Sequence, residues 1–113
     1  MFAVIYRGFV KLDSEAQYQH YWKRIATYFV NERGALGSTL HKTNEGMWVA
    51  YSKWPNKAAR DSSWPQNQEI MCSEFPPDIR EAIDGLKNCL ETERQFHEIC
   101  MEIIEDIPFT QDV

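Results

Sequence analysis

The sequence is poor in the features that announce a ready-made function. Its three cysteines, Cys72, Cys89 and Cys100, are scattered with no CxxC spacing. That argues against a disulfide framework and against a structural zinc site, and leaves the reduced thiols of a cytosolic protein. No stretch approaches the roughly 20 apolar residues that a membrane-spanning helix needs. The opening MFAVIYRGFV is apolar but short, and its charges follow the apolar run instead of preceding it, the wrong order for a signal peptide. A soluble, cytoplasmic protein is the expectation. Positive charge is scarce too: twelve Lys and Arg against seventeen Asp and Glu leave a net charge of −5. The basic residues stand singly, so no stripe exists to neutralise phosphates, and nucleic acid is not an expected partner. GxGxxG, P-loop, HExxH and GxSxG motifs are all missing. The carboxylates Glu91, Glu93, Glu102, Glu105 and Asp106 read as a solvated acidic face, not as a paired acid and base. No solenoid-type repeat and no low-complexity segment occurs.

What the chain has in quantity is aromatic side chains, 13% of 113 residues, with four Trp, five Tyr and six Phe. The length fits one domain over residues 1–113, whose folding buries roughly two-thirds of the unfolded surface. So many large rings leave apolar surface over, for a ligand or a partner to cover.

FAVIYRGFV (residues 2–10) is rich in β-branched and aromatic types and too short for a helix, so it reads as a buried strand. Asp13-Ser14 then announces a helix, with Ser14 and Gln17 at capping-box spacing. Tyr18, Tyr21, Trp22, Ile25 and Phe29 form one stripe of that helix, and Gly34 suits the left-handed position after its end. LGSTLHK (36–42) and MWVAYSKW (47–54) read as strands joined by the turn Thr43-Asn44-Glu45-Gly46. Asn56 is the expected N-cap of a short helix limited by Pro65, and the polar stretch from Trp64 to Pro77 reads as a loop. A further helix begins near Asp78, with Ile79, Ala82, Ile83, Leu86 and Leu90 on one face. Gly85 inside it costs about 1 kcal/mol relative to alanine. The tail (95–107) is ambiguous. Phe96, Ile99, Cys100, Ile103, Ile104 and Ile107 fit a helical stripe, while Ile99, Met101 and Ile103 alternate with glutamates as in a strand. A β-α-β-β-α order lacks only its closing strand, so the strand is the expectation.

The opening FAVIYRG, the segment GALGSTLHKTNEGMWVAYSKWP and its continuation KAARDSSWP resemble the antibiotic-biosynthesis-monooxygenase family; REAIDGLKNCLE and MEIIEDI fit it more loosely. The resemblance implies an α+β, ferredoxin-like fold: a four-stranded antiparallel sheet with helices on one face, its other face packed on a second subunit as a dimeric α+β barrel. Strand patterning agrees. The first and third strands are apolar at both parities, whereas a sheet with one solvated face should alternate cleanly. A two-fold partner is the economical cover.

The resemblance further implies a cofactor-independent monooxygenase, needing no metal or flavin, whose substrate is a small aromatic, phenolic or quinol-like compound. The alternative is a non-catalytic dimeric module that binds a small apolar ligand or serves in stress. Arg7, Tyr51 and His41 are the catalytic candidates; Trp48, Trp54, Trp64 and Arg60 are the substrate-binding candidates. Trp54 and Trp64 resemble aromatic sites lining the family's pocket, though core or interface filling is the plain alternative. Tyr51 could donate to a substrate oxygen or merely to a backbone carbonyl. His41, the one type titrating near neutrality, falls on the less apolar parity of its strand, as a rim residue would. His20 falls on the polar side of its helix. Arg7 interrupts an apolar strand and needs a carboxylate or ligand partner; a glutamate of the C-terminal strand is the simplest. Arg60 reads as a surface residue of the short helix. The haem-degrading branch of the family also implies a tryptophan where Trp64 stands, but then an axial histidine. Ten residues past Trp64 stands Glu74, and no histidine lies between His41 and His97, so haem degradation is disfavoured.

Overall fold

The computed structural model of the chain describes residues 1–65 and 73–107. Strand β1 (Phe2–Val10) is followed by helix α1 (Glu15–Glu32), the hairpin β2 (Gly37–Lys42) and β3 (Trp48–Trp54), helix α2 (Lys57–Ser63), helix α3 (Pro77–Asn88), and strands β4 (Leu90–Gln95) and β5 (Ile99–Glu102). The loop expected between Trp64 and Pro77 falls largely outside the described residues.

The strands form one antiparallel sheet of order β2-β3-β1-β4, with β5 also pairing β1. β1 lies against β3 along one edge, from Phe2↔Trp54 to Gly8↔Trp48. Its other edge takes β4 at Val10↔Leu90 and Gly8↔Gln95, then β5 from Ile5↔Ile99 to Phe2↔Glu102. The expected closing strand is therefore present but broken. From Val10 to Ile5 is five steps along β1, and from Leu90 to Ile99 is nine along its partner, a surplus of four residues, three of them between Leu90 and Gln95 and one between Gln95 and Ile99. This corrects two expectations. The sheet has five strands, not four. The third helix stops at Asn88, so Leu90 belongs to β4 and not to the helical stripe.

Strand alternation sends successive side chains to opposite faces. Phe2, Val4, Trp54 and Trp48 face α1 and α3, packing with Phe29, Ile79 and Ile83 in one cluster and with Tyr18 in a second. Both helices thus cover the same face of the sheet. The stripe predicted for α1 supplies that layer, and Phe29 is its anchor at 4% exposure. Gly34 and Gly46 adopt positive φ, as their places after α1 and in the hairpin turn require. Asn56 caps α2 by accepting from the Ala59 amide at 2.8 Å. Ser14 does not complete a capping box: it makes no side-chain capping bond, and its hydroxyl donates to the Asp13 carboxylate at 3.3 Å. Gly85 has a packing reason, since a Cβ there would stand 2.5 Å from the ring of Tyr21 on α1.

The opposite face carries Ile5, Arg7 and Phe9 of β1, Val49, Tyr51 and Lys53 of β3, Thr39 and His41 of β2, and Ile99 and Met101 of β5. Neither α1 nor α3 packs there. No helix among the described residues is long and apolar enough to cross a membrane.

Candidate functional site

Small side chains in the sheet decide where the molecule is hollow. Along the helix-facing side, Ala50 sits opposite Tyr6, Ser52 opposite Val4, and Ser38 opposite Ser52. These short residues cannot reach the helical layer, and a cavity of about 310 Å³ remains above them. Its floor is Tyr6, Ser38, Ala50, Ser52 and Trp54; its walls come from Tyr18, Trp22, Ile25 and Phe29 of α1 and from Ile83 and Leu86 of α3. Trp64, Leu90 and Phe96 also line it, with Lys87 of α3 at its edge and Arg7 and Tyr51 bordering it from the sheet. The volume and the aromatic walls suit a small, flat, apolar molecule.

One end of the cavity is an aromatic cluster. Trp64 stacks on Phe29 with centroids 4.6 Å apart, and Phe75 meets both edge-on at 5.6 and 6.1 Å. Trp54 is 1% exposed, and its indole N–H donates to the Ser52 hydroxyl at 3.2 Å. Both tryptophans hold the core together and also present ring surface to the cavity. Trp48 does not line the cavity. It lies against Tyr18 at 5.4 Å, with its indole nitrogen buried and unpaired.

The polar end is built on Tyr6 and Arg60. Arg60 is 9% exposed, which corrects the surface placement expected for it. The reason is local. The Ser63 hydroxyl bonds the Arg33 carbonyl at 2.7 Å, and the Arg33 guanidinium bonds the Ser63 carbonyl at 3.0 Å. These bonds pin α2 to the end of α1 and turn its Arg60 face inward. The Arg60 guanidinium donates to the Tyr6 hydroxyl at 3.2 Å and to the Glu98 carboxylate at 2.5 Å. Burial opposes its charge, but the Tyr6 and Glu98 oxygens outweigh that and hold its pKa above the ordinary arginine value. Burial pushes the Tyr6 hydroxyl up, against the pull of Arg60. Tyr18, nearly enclosed, is pushed up to about 12, chiefly by burial.

The remaining candidates go elsewhere. Tyr51 lies between the floor residues Ala50 and Ser52 and borders the cavity, while strand alternation turns its side chain toward the opposite face. Arg7 does likewise beside Tyr6. The carboxylate partner expected for Arg7 is not what it meets: its guanidinium donates to the His97 carbonyl at 3.3 Å and lies 5.1 Å from the Phe96 ring centroid. The residues released between β4 and β5 supply those contacts, while the glutamate expected for Arg7 is taken by Arg60. His41 is exposed and its imidazole is 2.9 Å from the Thr39 hydroxyl. None of the three histidines lines the cavity. Among the described residues no three His, Cys, Asp or Glu side chains gather as a metal site would.

Of the seven candidates, then, Trp54, Trp64, Tyr51 and Arg7 border the cavity and Arg60 stands behind it. Sequence reasoning passed over Tyr6, Ser38 and Ser52. Tyr6 looked like one more apolar strand residue, although a polar tip at a mid-strand position facing the helices was the available signal.

No protein-family profile matches the sequence, and no curated protein matches it. Solved structures do. Rv0793 of Mycobacterium tuberculosis superposes with a TM-score of 0.68 at 15% identity, over 95% of this chain and 98% of that one. SnoaB of Streptomyces nogalater, a cofactor-independent oxygenase, gives 0.68 at 14% identity, over 96% and 97%. The fold is that of the antibiotic-biosynthesis-monooxygenase structures. A further antibiotic biosynthesis monooxygenase matches at 0.65 and 18% identity, over 93% of this chain and the whole of that one. The likeness runs through the C-terminal third, where the sequence resembled the family only loosely. At such identities it speaks for architecture and not for chemistry.

Proposed function

We propose that the chain is a single-domain, cytoplasmic homodimer that binds a small aromatic molecule, phenolic or quinol-like, in the sheet–helix cavity and oxidises it with dioxygen without a bound metal or flavin. One observation carries this: an aromatic-walled cavity of about 310 Å³ with the hydroxyl-bearing residues Tyr6, Ser38 and Ser52 together on its sheet floor. Such a site holds a flat ring and meets an oxygen on its edge. In the reaction a phenol and dioxygen become a quinone and water, so the substrate supplies all four electrons and no outside reductant is needed. The protein's share is to hold the ring, exclude water and hydrogen-bond the ring oxygen. SnoaB, an oxygenase of the same fold without a cofactor, supports the reading. A lining without imidazole speaks against a haem site.

The bare sheet face supports the dimer. Ile5, Val49, Tyr51, Ile99 and Met101 form apolar ground with no helix over it, and Ile99 is 38% exposed. A matching face on a second copy would cover it. Free thiols at Cys89 and Cys100 suit a reducing compartment, and the charge of −5 suits a partner other than nucleic acid.

A second reading, a non-catalytic ligand-binding dimer, is favoured by one feature: Tyr6 and Tyr18, two of the lining tyrosines, are both pushed upward and neither is poised as a base near neutrality. An oxygen electrode with a panel of phenols and naphthols, run with chelator present, decides between them alongside quenching of the lining tryptophans. Uptake with quenching is the expected result. Quenching without uptake moves the protein to the second reading, and neither effect sinks both.

A further inference from the structure

The Tyr6 hydroxyl has a hydrogen to give and, among the described residues, no protein group that receives it. A guanidinium is donor only, so in the 3.2 Å contact the Tyr6 oxygen accepts from Arg60. No other hydrogen bond to Tyr6 exists among the described residues. The Tyr6 proton is therefore unspent, and the side chain carrying it lines the cavity. Its direction is fixed from behind. Arg60 is held at 2.5 Å by Glu98, and its backbone belongs to a helix pinned to α1 through Ser63 and Arg33. The two serines of the floor are less constrained: the Ser52 hydroxyl accepts from Trp54, and the Ser38 hydroxyl makes no hydrogen bond among the described residues.

We propose that Tyr6 is the hydrogen-bond donor that orients a bound ring through an uncharged oxygen on its edge, and that Arg60, held by Glu98, is its positioning residue. This rests on the cavity being the ligand site and adds the group that selects among flat ligands. The arrangement favours a donor over a base, because the hydroxyl is protonated at neutral pH and burial pushes its pKa further up. A cation on its far side also strengthens the hydrogen bond it gives. The selected ligands are those with a carbonyl or phenolic oxygen; a hydrocarbon of equal shape loses the contact and leaves the hydroxyl unpaired.

The test uses a matched pair, 1-tetralone and tetralin, titrated into the full chain by calorimetry. The wild type should prefer the ketone by about five- to tenfold, the worth of one hydrogen bond. In Tyr6→Phe, which keeps the ring in place, the ratio should fall to near one while tetralin affinity stays unchanged. Arg60→Met should lower the ratio in the same way, and Arg60→Lys should restore part of it, again with tetralin binding as the internal control. If Tyr6→Phe keeps the full preference, or if Ser52→Ala alone erases it, the donor is misassigned and the proposal falls. Arg60→Met with an unchanged ratio removes the positioning role. Equal binding of both compounds to the wild type overturns the proposal and leaves the cavity as a ligand site. Binding of neither overturns the cavity reading itself.

Discussion

The two faces of the sheet are made by alternate residues of the same strands, yet they are finished differently. Phe2, Val4, Trp48 and Trp54 meet helices and become core, and Tyr6 among them opens on a hollow. Their immediate neighbours Ile5, Val49 and Tyr51 face away from α1 and α3. Both sets are apolar, so hydrophobicity alone does not tell them apart. Partition does: one face is completed within the chain, and the other is left bare, as the proposed dimer requires. A strand of nine residues can in this way serve a ligand site and an interface at once.

The contrast can be broken hardest on the covered side. Phe29→Ala removes the ring that Trp64, Trp54 and Phe75 all touch, and should lower unfolding free energy by about 3–5 kcal/mol in a urea titration. On the bare side a charge should act on assembly and spare the fold. Ile99→Asp is expected to shift sedimentation from dimer to monomer while the far-ultraviolet circular dichroism stays unchanged.

Next in size is an alkaline effect confined to the covered face. Tyr18 titrates near 10 when unfolded and at about 12 in the fold. Between those values the folded state keeps a proton that the unfolded chain has lost, so stability is full below pH 10 and falls as pH rises through the window. The loss is about 2 kcal/mol, less whatever water reaches the ring. Tyr18→Phe should flatten that part of the pH–stability curve, leaving the smaller slope due to Tyr6.

Gly85→Ala sharpens the comparison within the helical layer. Helix propensity favours alanine by about 1 kcal/mol, but the new methyl meets the Tyr21 ring, and overpacking costs about 1–3 kcal/mol. The substitution should destabilise the wild type and stabilise a Tyr21→Ala background. A double-mutant cycle reads that change of sign. The smallest effect is expected at His41, where alanine should move neither ligand binding nor the unfolding midpoint beyond about 0.5 kcal/mol.

Local patterns in the sequence carried much of this architecture. The α1 stripe, the Gly46 turn and the Asn56 cap are each set by residues within a few positions, and each stands as expected. The break in the closing strand could not be seen that way, because register belongs to a pair of strands and not to either alone. The site was legible by half. Trp54 and Trp64 announced themselves by type and spacing. Arg60 did not, since its burial depends on Glu98, 38 residues away, and on the tie between Ser63 and Arg33. Arg7 drew attention as the charge inside a strand, but the partner anticipated for it went to the arginine that looked ordinary.

The four surplus residues between Leu90 and Ile99, three of them inside β4 and one between Gln95 and Ile99, set a rule of arithmetic for this stretch. Because four is even, the pleat returns in phase: Leu90 and Cys100 still point the same way although the pairing has slipped. Removing one residue from this segment would turn β5 over, burying Ile99 and Met101 under the helices and swinging Glu98 away from Arg60. Removing two would keep every side chain on its own side. Changes in length here should therefore be tolerated in twos, and a single deletion should strip the sheet of its interface and its ion pair together.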